Sequence, residues 1–239
     1  MLGRLQGAFE QLRRFTADAS HELRTPLTAI RSVGEVALQE PKAPAEYRDV
    51  IGSMLEEVDR LTRLVESLLV LSRADASRVQ LHRAETSLLS VAEEAASTLE
   101  VLAEEKQQKI DVEGDAELVV SADRLILRQA VVNLLDNAIK YSPVESRILI
   151  RVLSGDDKRA CLDVIDQGPG IPFEHQPYIF DRFYRVDKSR TREWGGAGLG
   201  LSITRWAVEA HGGEILLSSK DGAGCTFRIC LPIASDMRI

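Results

Sequence analysis

Aromatic residues make up only 5% of this chain. Its cores must therefore be built from aliphatic side chains. Cysteine is scarce too: Cys161, Cys225 and Cys230 are the three, and none stands in a Cys-x-x-Cys pair. That excludes a zinc ribbon or a dithiol redox motif. It fits a reduced compartment, with all three as small buried hydrophobes in strands. No apolar run approaches the roughly 20 residues that cross a bilayer. The opening Met-Leu-Gly-Arg-Leu-Gln-Gly-Ala-Phe-Glu lacks the apolar segment of a signal peptide. It reads as helix already in progress. We expect the soluble, cytoplasmic part of something longer, with membrane segments absent from this chain. Lys and Arg are scattered and the net charge is -7, which sets nucleic acid aside as a partner. There is no internal repeat and no low-complexity tract.

What is present is a long helical pattern. Leu5, Ala8, Leu12, Phe15, Ala19, Leu23, Leu27, Ile30, Val33 and Ala37 recur every three or four positions, predicting a first helix over 1–38. Pro41 and Pro44 mark a turn at 39–45. Ile51, Met54, Val58, Leu61, Val65 and Leu68 set the seam of a second helix over 46–75. Two apolar stripes this broad cannot be buried by one hairpin. Pairing two hairpins into a four-helix bundle solves that, so a homodimer is expected. A hinge at 75–78 would divide a hairpin domain, 1–76, from a second domain, 77–239.

The second domain alternates strand and helix patterns. Short strands are predicted at 79–83, at 110–113 and at 118–121, the last two around a Gly114-Asp115 turn. Helices are predicted at 88–106, capped by Thr86 or Ser87, and at 124–141, capped by Asp123. Paired strands follow at 147–153 and 160–166. Residues 167–197 form a long irregular stretch. A helix at 198–211 and a hairpin of 214–219 with 225–231 close the chain. This is a mixed sheet with helices on one face.

Within the first helix stands Ser20-His21-Glu22-Leu23-Arg24-Thr25-Pro26-Leu27. His21 is off the seam, so its ring should stand on the helix flank. A carboxylate beside an imidazole leaves one ring nitrogen free to attack. Thr25 lies one turn on, and Pro26 should bend the helix just past the histidine.

The second domain holds four further segments. Asn133, Asn137 and Tyr141 share one polar helix face, with Lys140 beside them. Asn oxygens are hard ligands suited to magnesium, and Lys140 offers charge for phosphate. Asp166-Gln-Gly-Pro-Gly-Ile171 ends an apolar strand, with a carboxylate able to accept from an exocyclic amine. Phe180-Asp-Arg-Phe-Tyr-Arg185 offers two anchors for a lid and a guanidinium for phosphate. Gly195-Gly-Ala-Gly-Leu-Gly-Leu201 opens a helix, placing free N–H groups at one point.

In this order the segments resemble the acceptor, N, G1, F and G2 boxes of sensor histidine kinases, and the resemblance spans about 10 to 232. It implies a Bergerat α/β sandwich behind the dimeric hairpin and a protein-histidine kinase that uses ATP and Mg2+. His21 would take the phosphoryl group, with Glu22 as orienting base and Thr25 positioning water for dephosphorylation of the partner. Asn137 and Asn133 would hold magnesium. Asp166 would read adenine, with Gly168, Gly170, Ile171 and Thr226 around it. Lys140, Tyr141, Arg185 and the loop of Gly196, Gly198, Leu199, Gly200 and Leu201 would grip phosphates. The implied partner is a response-regulator receiver domain. Two other readings stay open: a related Bergerat-fold ATPase that uses water as acceptor, and a nucleotide-binding dimeric scaffold.

Overall fold

The structure is a computed structural model that describes residues 2–39, 43–75, 80–186 and 196–234, without the side chains of 2–12 and 14. The centre of the expected turn at 39–45, most of the hinge at 75–78 and the segment Thr191–Trp194 lie outside the described residues. The chain divides into two compact units, 1–77 and 78–239.

The first unit is a hairpin of α1 (Leu2–Gln39) and α2 (Pro44–Asp75). Pro26 lies inside α1, which continues through it. A proline has no N–H to give the carbonyl four residues back, so the Glu22 carbonyl loses its helical partner. The hairpin buries few apolar side chains fully, among them Ala37, Leu64 and Leu71. Leu27, Val36, Ile51, Leu55, Val58, Val65 and Leu69 stay exposed in the single chain.

The second unit orders as β1 (Ala84–Ser87), α3 (Leu88–Glu105), β2 (Lys109–Gly114), β3 (Val119–Ala122), α4 (Arg124–Tyr141), β4 (Arg147–Ser154), β5 (Arg159–Ile165), α5 (Gly200–Ala210), β6 (Glu214–Ser219) and β7 (Cys225–Pro232). A short 3-10 turn, Gln176–Tyr178, precedes α5. Ser87 caps α3 by accepting from the Ser90 N–H at 3.4 Å, and Asp123 caps α4 by accepting from the Ile126 N–H at 3.3 Å.

Five strands form one sheet in the order β2-β4-β5-β7-β6. The β2–β4 pair is parallel and the others are antiparallel. Strand alternation puts Ile148, Ile150 and Val152 of β4 in the core with Leu162 of β5, Ile229 of β7 and Leu88, Leu127 and Leu134 of the helices. The opposite face carries ion pairs: Arg147 with Asp111, Arg151 with Glu113 at 2.7 Å, and Arg228 gripping Asp163 with two bonds of 2.7 Å.

Two expectations are corrected here. The first strand lies at 84–87, not 79–83, because its partner is β3, which it meets across Ala84–Ser87 and Val119–Ala122. The strands expected on either side of Gly114-Asp115 are present as β2 and β3; β2 joins β4 and β3 joins β1. The cysteines are buried in strands, but Cys161 and Cys230 are joined by a disulfide rather than reduced. They sit directly opposite in the β5–β7 register, although 69 positions apart in sequence. Cys225 alone is free.

Candidate functional site

On α1, His21 and Thr25 are exposed and Glu22 is half-buried. The Thr25 hydroxyl donates to the His21 carbonyl at 3.2 Å, holding its side chain along the flank that bears the imidazole. A shallow groove beside His21 is lined by Arg24, Thr25, Thr28, Ala29 and Ser32. This is the helix surface, not the seam, as the spacing predicted.

In the second unit the separate segments come together around α4. At the α5 end, the Asn133 amide donates to the Gly200 carbonyl at 3.3 Å, and its oxygen accepts from Gln129 at 3.1 Å. One turn on, the Asn137 side chain makes no hydrogen bond among the described residues, so its oxygen is uncommitted. Lys140 is not free: its ammonium pairs with Asp136 at 2.5 Å. Tyr141 ends the helix, and burial pushes its hydroxyl above the ordinary range, with the Arg185 charge opposing part of that rise. Asn133 and Tyr141 are eight positions apart, about 12 Å along α4.

Across from Tyr141 lies the turn that follows β5. A Cβ on Gly168 would stand 3.2 Å from the Tyr141 carbonyl, so the two segments touch. Asp166 is buried, and one carboxylate oxygen accepts from the Gly168 N–H at 2.8 Å and the Cys225 N–H at 3.2 Å. Burial raises its pKa, and those two hydrogen bonds oppose the rise. Gly170 has φ +76°, and a Cβ there would collide with the Lys220 carbonyl. Gly224 has φ +80°, and a Cβ there would collide with the Asp166 carbonyl. Only glycine lets these two turns lie so close.

The segment before α5 forms a ledge. Phe180 meets Phe227 edge-on with ring centroids 6.4 Å apart, and the Phe183 N–H donates to the Gly198 carbonyl at 2.9 Å. Arg185 has two buried nitrogens, Nε and one Nη, without a hydrogen-bond partner among the described residues. A guanidinium held this way is a ready receptor for an anion. Gly196 is half-buried and leads through Gly198 and the buried Leu199 to Gly200 and Leu201 in the first turn of α5. The helix starts at Gly200, not 198.

Two placements differ from the sequence reading. Thr226 does not point toward Asp166. Cys225 and Phe227 face the core, so alternation turns Thr226 to the opposite face of β7, where it pairs with Ile165 and Ser218. The side chain beside Asp166 is that of Cys225, whose thiol lies 3.3 Å from the Ser219 hydroxyl. Burial chiefly pushes that thiol up to about 11, and the Asp166 charge adds to the rise. Asn133, expected as a metal ligand, has both ends of its amide engaged within the fold. Asp136, Cys225 and Ser219 were missed. The position of Cys225 between Gly224 and the apolar strand was the available signal for it.

These groups, strung along α4, are termed the slot. One end offers a buried carboxylate acceptor between two glycine-tight turns, beside Tyr141. Arg185 lies close enough to Tyr141 for its charge to be felt there. The other end offers the Asn137 amide oxygen and the glycine-rich start of a helix. Among the described residues no cluster of three or more His, Cys, Asp or Glu stands ready for a metal. A cation there would need oxygens from amides and from a ligand.

Comparison with known proteins gives the class. Residues 11–77 match the His Kinase A (phospho-acceptor) domain. Residues 122–235 match the histidine kinase-, DNA gyrase B- and HSP90-like ATPase family. The sensor protein IrlS of Burkholderia pseudomallei is 39% identical over 97% of this chain and 49% of its own length. The structure of the mycobacterial sensor histidine kinase MprB is 30% identical, covering 64% of this chain and 98% of that one with a TM-score of 0.55. That of the histidine kinase ThkA in complex with the response regulator protein TrrA is 26% identical, covering 98% of this chain and 65% of that one with a TM-score of 0.77. The chain belongs to the sensor histidine kinase family. It spans about half the length of the curated relatives it matches, and its second unit has the mixed, mostly antiparallel α/β fold of the family's ATPase module.

Proposed function

We propose that this chain is the catalytic portion of a sensor histidine kinase that phosphorylates itself on His21 and passes the group to an aspartate of a response-regulator receiver domain. The observation that carries this reading is the slot around α4. Its buried acceptor, Asp166, sits on the turn that meets the Tyr141 end of α4, and the Arg185 guanidinium, with two buried nitrogens unpartnered among the described residues, acts on the same Tyr141. That suits a nucleoside triphosphate with an exocyclic amine. Asp166 takes the amine of adenine, and Gly168, Gly170 and Ile171 close on the ring. Cys225 takes the place expected of Thr226. Arg185, Tyr141 and the loop from Gly196 to Leu201 hold phosphate oxygens. Lys140 contributes there through its pair with Asp136.

The residues fit a bound Mg2+. Asn137 would hold it through its uncommitted oxygen, together with phosphate oxygens, while Asn133 fixes Gly200. When bound, that ion spreads the charge of the phosphoryl oxygens. The rest is the work of the chain. The two units swing so that His21 reaches the γ-phosphorus. An imidazole nitrogen forms the N–P bond as the bond to the bridging oxygen breaks, and ADP leaves. Glu22 orients the ring and takes its proton. The receiver aspartate then forms an O–P bond as the N–P bond breaks. Thr25 positions water for the reverse traffic, hydrolysis of the phosphorylated partner. Two chains pair through the hairpin. No helix among the described residues is long and apolar enough to cross a membrane.

The test is label transfer. With γ-labelled ATP the chain gains an acid-labile, base-stable phosphoryl group that His21→Gln abolishes. Steady ATP hydrolysis without phosphoprotein would instead support a water-accepting ATPase. Label that survives acid or persists in His21→Gln would overturn the proposal.

A further inference from the structure

Two turns that are far apart in sequence form one body at the carboxylate end of the slot, and one side-chain hydroxyl bonds to both. Ser219, the last residue of β6, accepts from the Ile171 N–H at 2.8 Å and donates to the Gly224 carbonyl at 3.1 Å. It thus joins the turn 166–171 to the turn 219–225. Gln176 braces the same point from below, its amide donating to the Ile171 carbonyl at 2.8 Å and the Ser219 carbonyl at 3.3 Å. The Gly222 N–H donates to the Pro169 carbonyl at 2.6 Å. The Cys225 backbone closes the ring, exchanging bonds with Asp166 through the Asp166 N–H at 2.9 Å and the Cys225 N–H at 3.2 Å.

The Ile171 N–H and the Gly224 carbonyl belong to irregular backbone, so no sheet ladder serves them. A backbone group of this kind needs a partner supplied by some other element. A serine hydroxyl can donate once while accepting, and Ser219 uses both capacities. We infer that Ser219 is a positioning residue for base recognition. It holds Ile171 and the Asp166 carboxylate at the spacing a purine needs, without touching the nucleotide. The inference rests on the proposal that the turn 166–171 receives adenine, and it adds the device that sets the turn.

The experiment measures binding to the full chain by calorimetry, with ATP and inorganic tripolyphosphate as separate probes. Ser219→Ala is expected to weaken ATP about tenfold, the scale set by a lost two-way hydrogen bond. Tripolyphosphate affinity stays unchanged, because Arg185 and the glycine loop are untouched. KM for ATP in autophosphorylation rises by a similar factor while kcat stays within about twofold. Ser219→Thr, which keeps the hydroxyl, restores ATP binding. Gln176→Ala weakens ATP in the same selective way from the other side of the turn, and decides the matter if Ser219→Ala does not fold. Normal ATP affinity in the folded variant, or equal loss of both probes, overturns the inference. A parent chain that binds tripolyphosphate but shows no preference for ATP overturns the adenine reading itself, and this inference with it.

Discussion

Asp166 is a carboxylate in a place that disfavours charge. Its folded pKa is raised, chiefly by burial. An acid raised in the folded state keeps its proton to higher pH than the unfolded chain does. Its contribution to stability therefore falls as pH rises through the unfolded carboxylate range toward the folded value, and at neutral pH the ionised group is a net cost. Asp166→Asn keeps an oxygen to accept from the Gly168 and Cys225 N–H groups but removes the buried charge. We expect a variant no less stable than the parent at pH 7, measured by denaturant midpoint, that binds ATP at least about tenfold more weakly. A destabilised variant would show that the carboxylate serves the fold rather than the ligand. On the proposed reading, Asp166 is a carboxylate kept for the ligand against the interest of the core.

At the scale of elements, α4 is the beam on which the slot is built, and both of its ends are anchored. Asp123 caps its start and also accepts from the His82 N–H at 3.0 Å. The Asp123 N–H in turn donates to Nε2 of His211, whose Nδ1 meets the Ala207 carbonyl at 2.6 Å. His211 is buried, and burial lowers its pKa, aided by the nearby Arg83 and opposed by the Ala207 carbonyl and Asp123. The unfolded chain takes up a proton there near pH 6.5, where the folded chain does not. The stability His211 contributes is whole above about pH 6.5 and is lost as pH falls below it. In His211→Gln the limb of the stability curve below about pH 6.5 should flatten relative to the parent. Parallel curves would refute the assignment.

Much of this level was legible in the amino-acid string. The caps Ser87 and Asp123 announce α3 and α4 because an extended residue with a short acceptor side chain satisfies the first free N–H groups. The glycines around Asp166 were legible as close-approach positions. Pairing was not. β2 lies beside β4 across an intervening strand and helix, and no local pattern records which edge a short strand joins. The side chain beside Asp166 was misjudged by one residue for the same reason. Cys225 and Thr226 differ only in which face of β7 they take, and register decides that. The partner of Cys161 was hidden by the long separation to Cys230.

At the scale of the whole molecule, the hairpin leaves Leu27, Ile51, Leu55, Val58, Val65 and Leu69 open to water. So many aligned apolar side chains on a two-helix unit call for a second surface. We expect the chain to sediment as a dimer at micromolar concentration. Leu55→Glu with Val58→Glu should give monomers whose second unit keeps its ATP affinity. A monomeric parent would remove the bundle from the account.

The link between Cys161 and Cys230 bears on the far end of the same two strands. A slide of β7 against β5 by one position would turn the thiol of Cys225 out of the slot and bring the hydroxyl of Thr226 in. Bolted at one end, these strands cannot make that slide, and the choice between sulfur and oxygen beside Asp166 is locked some distance away from it.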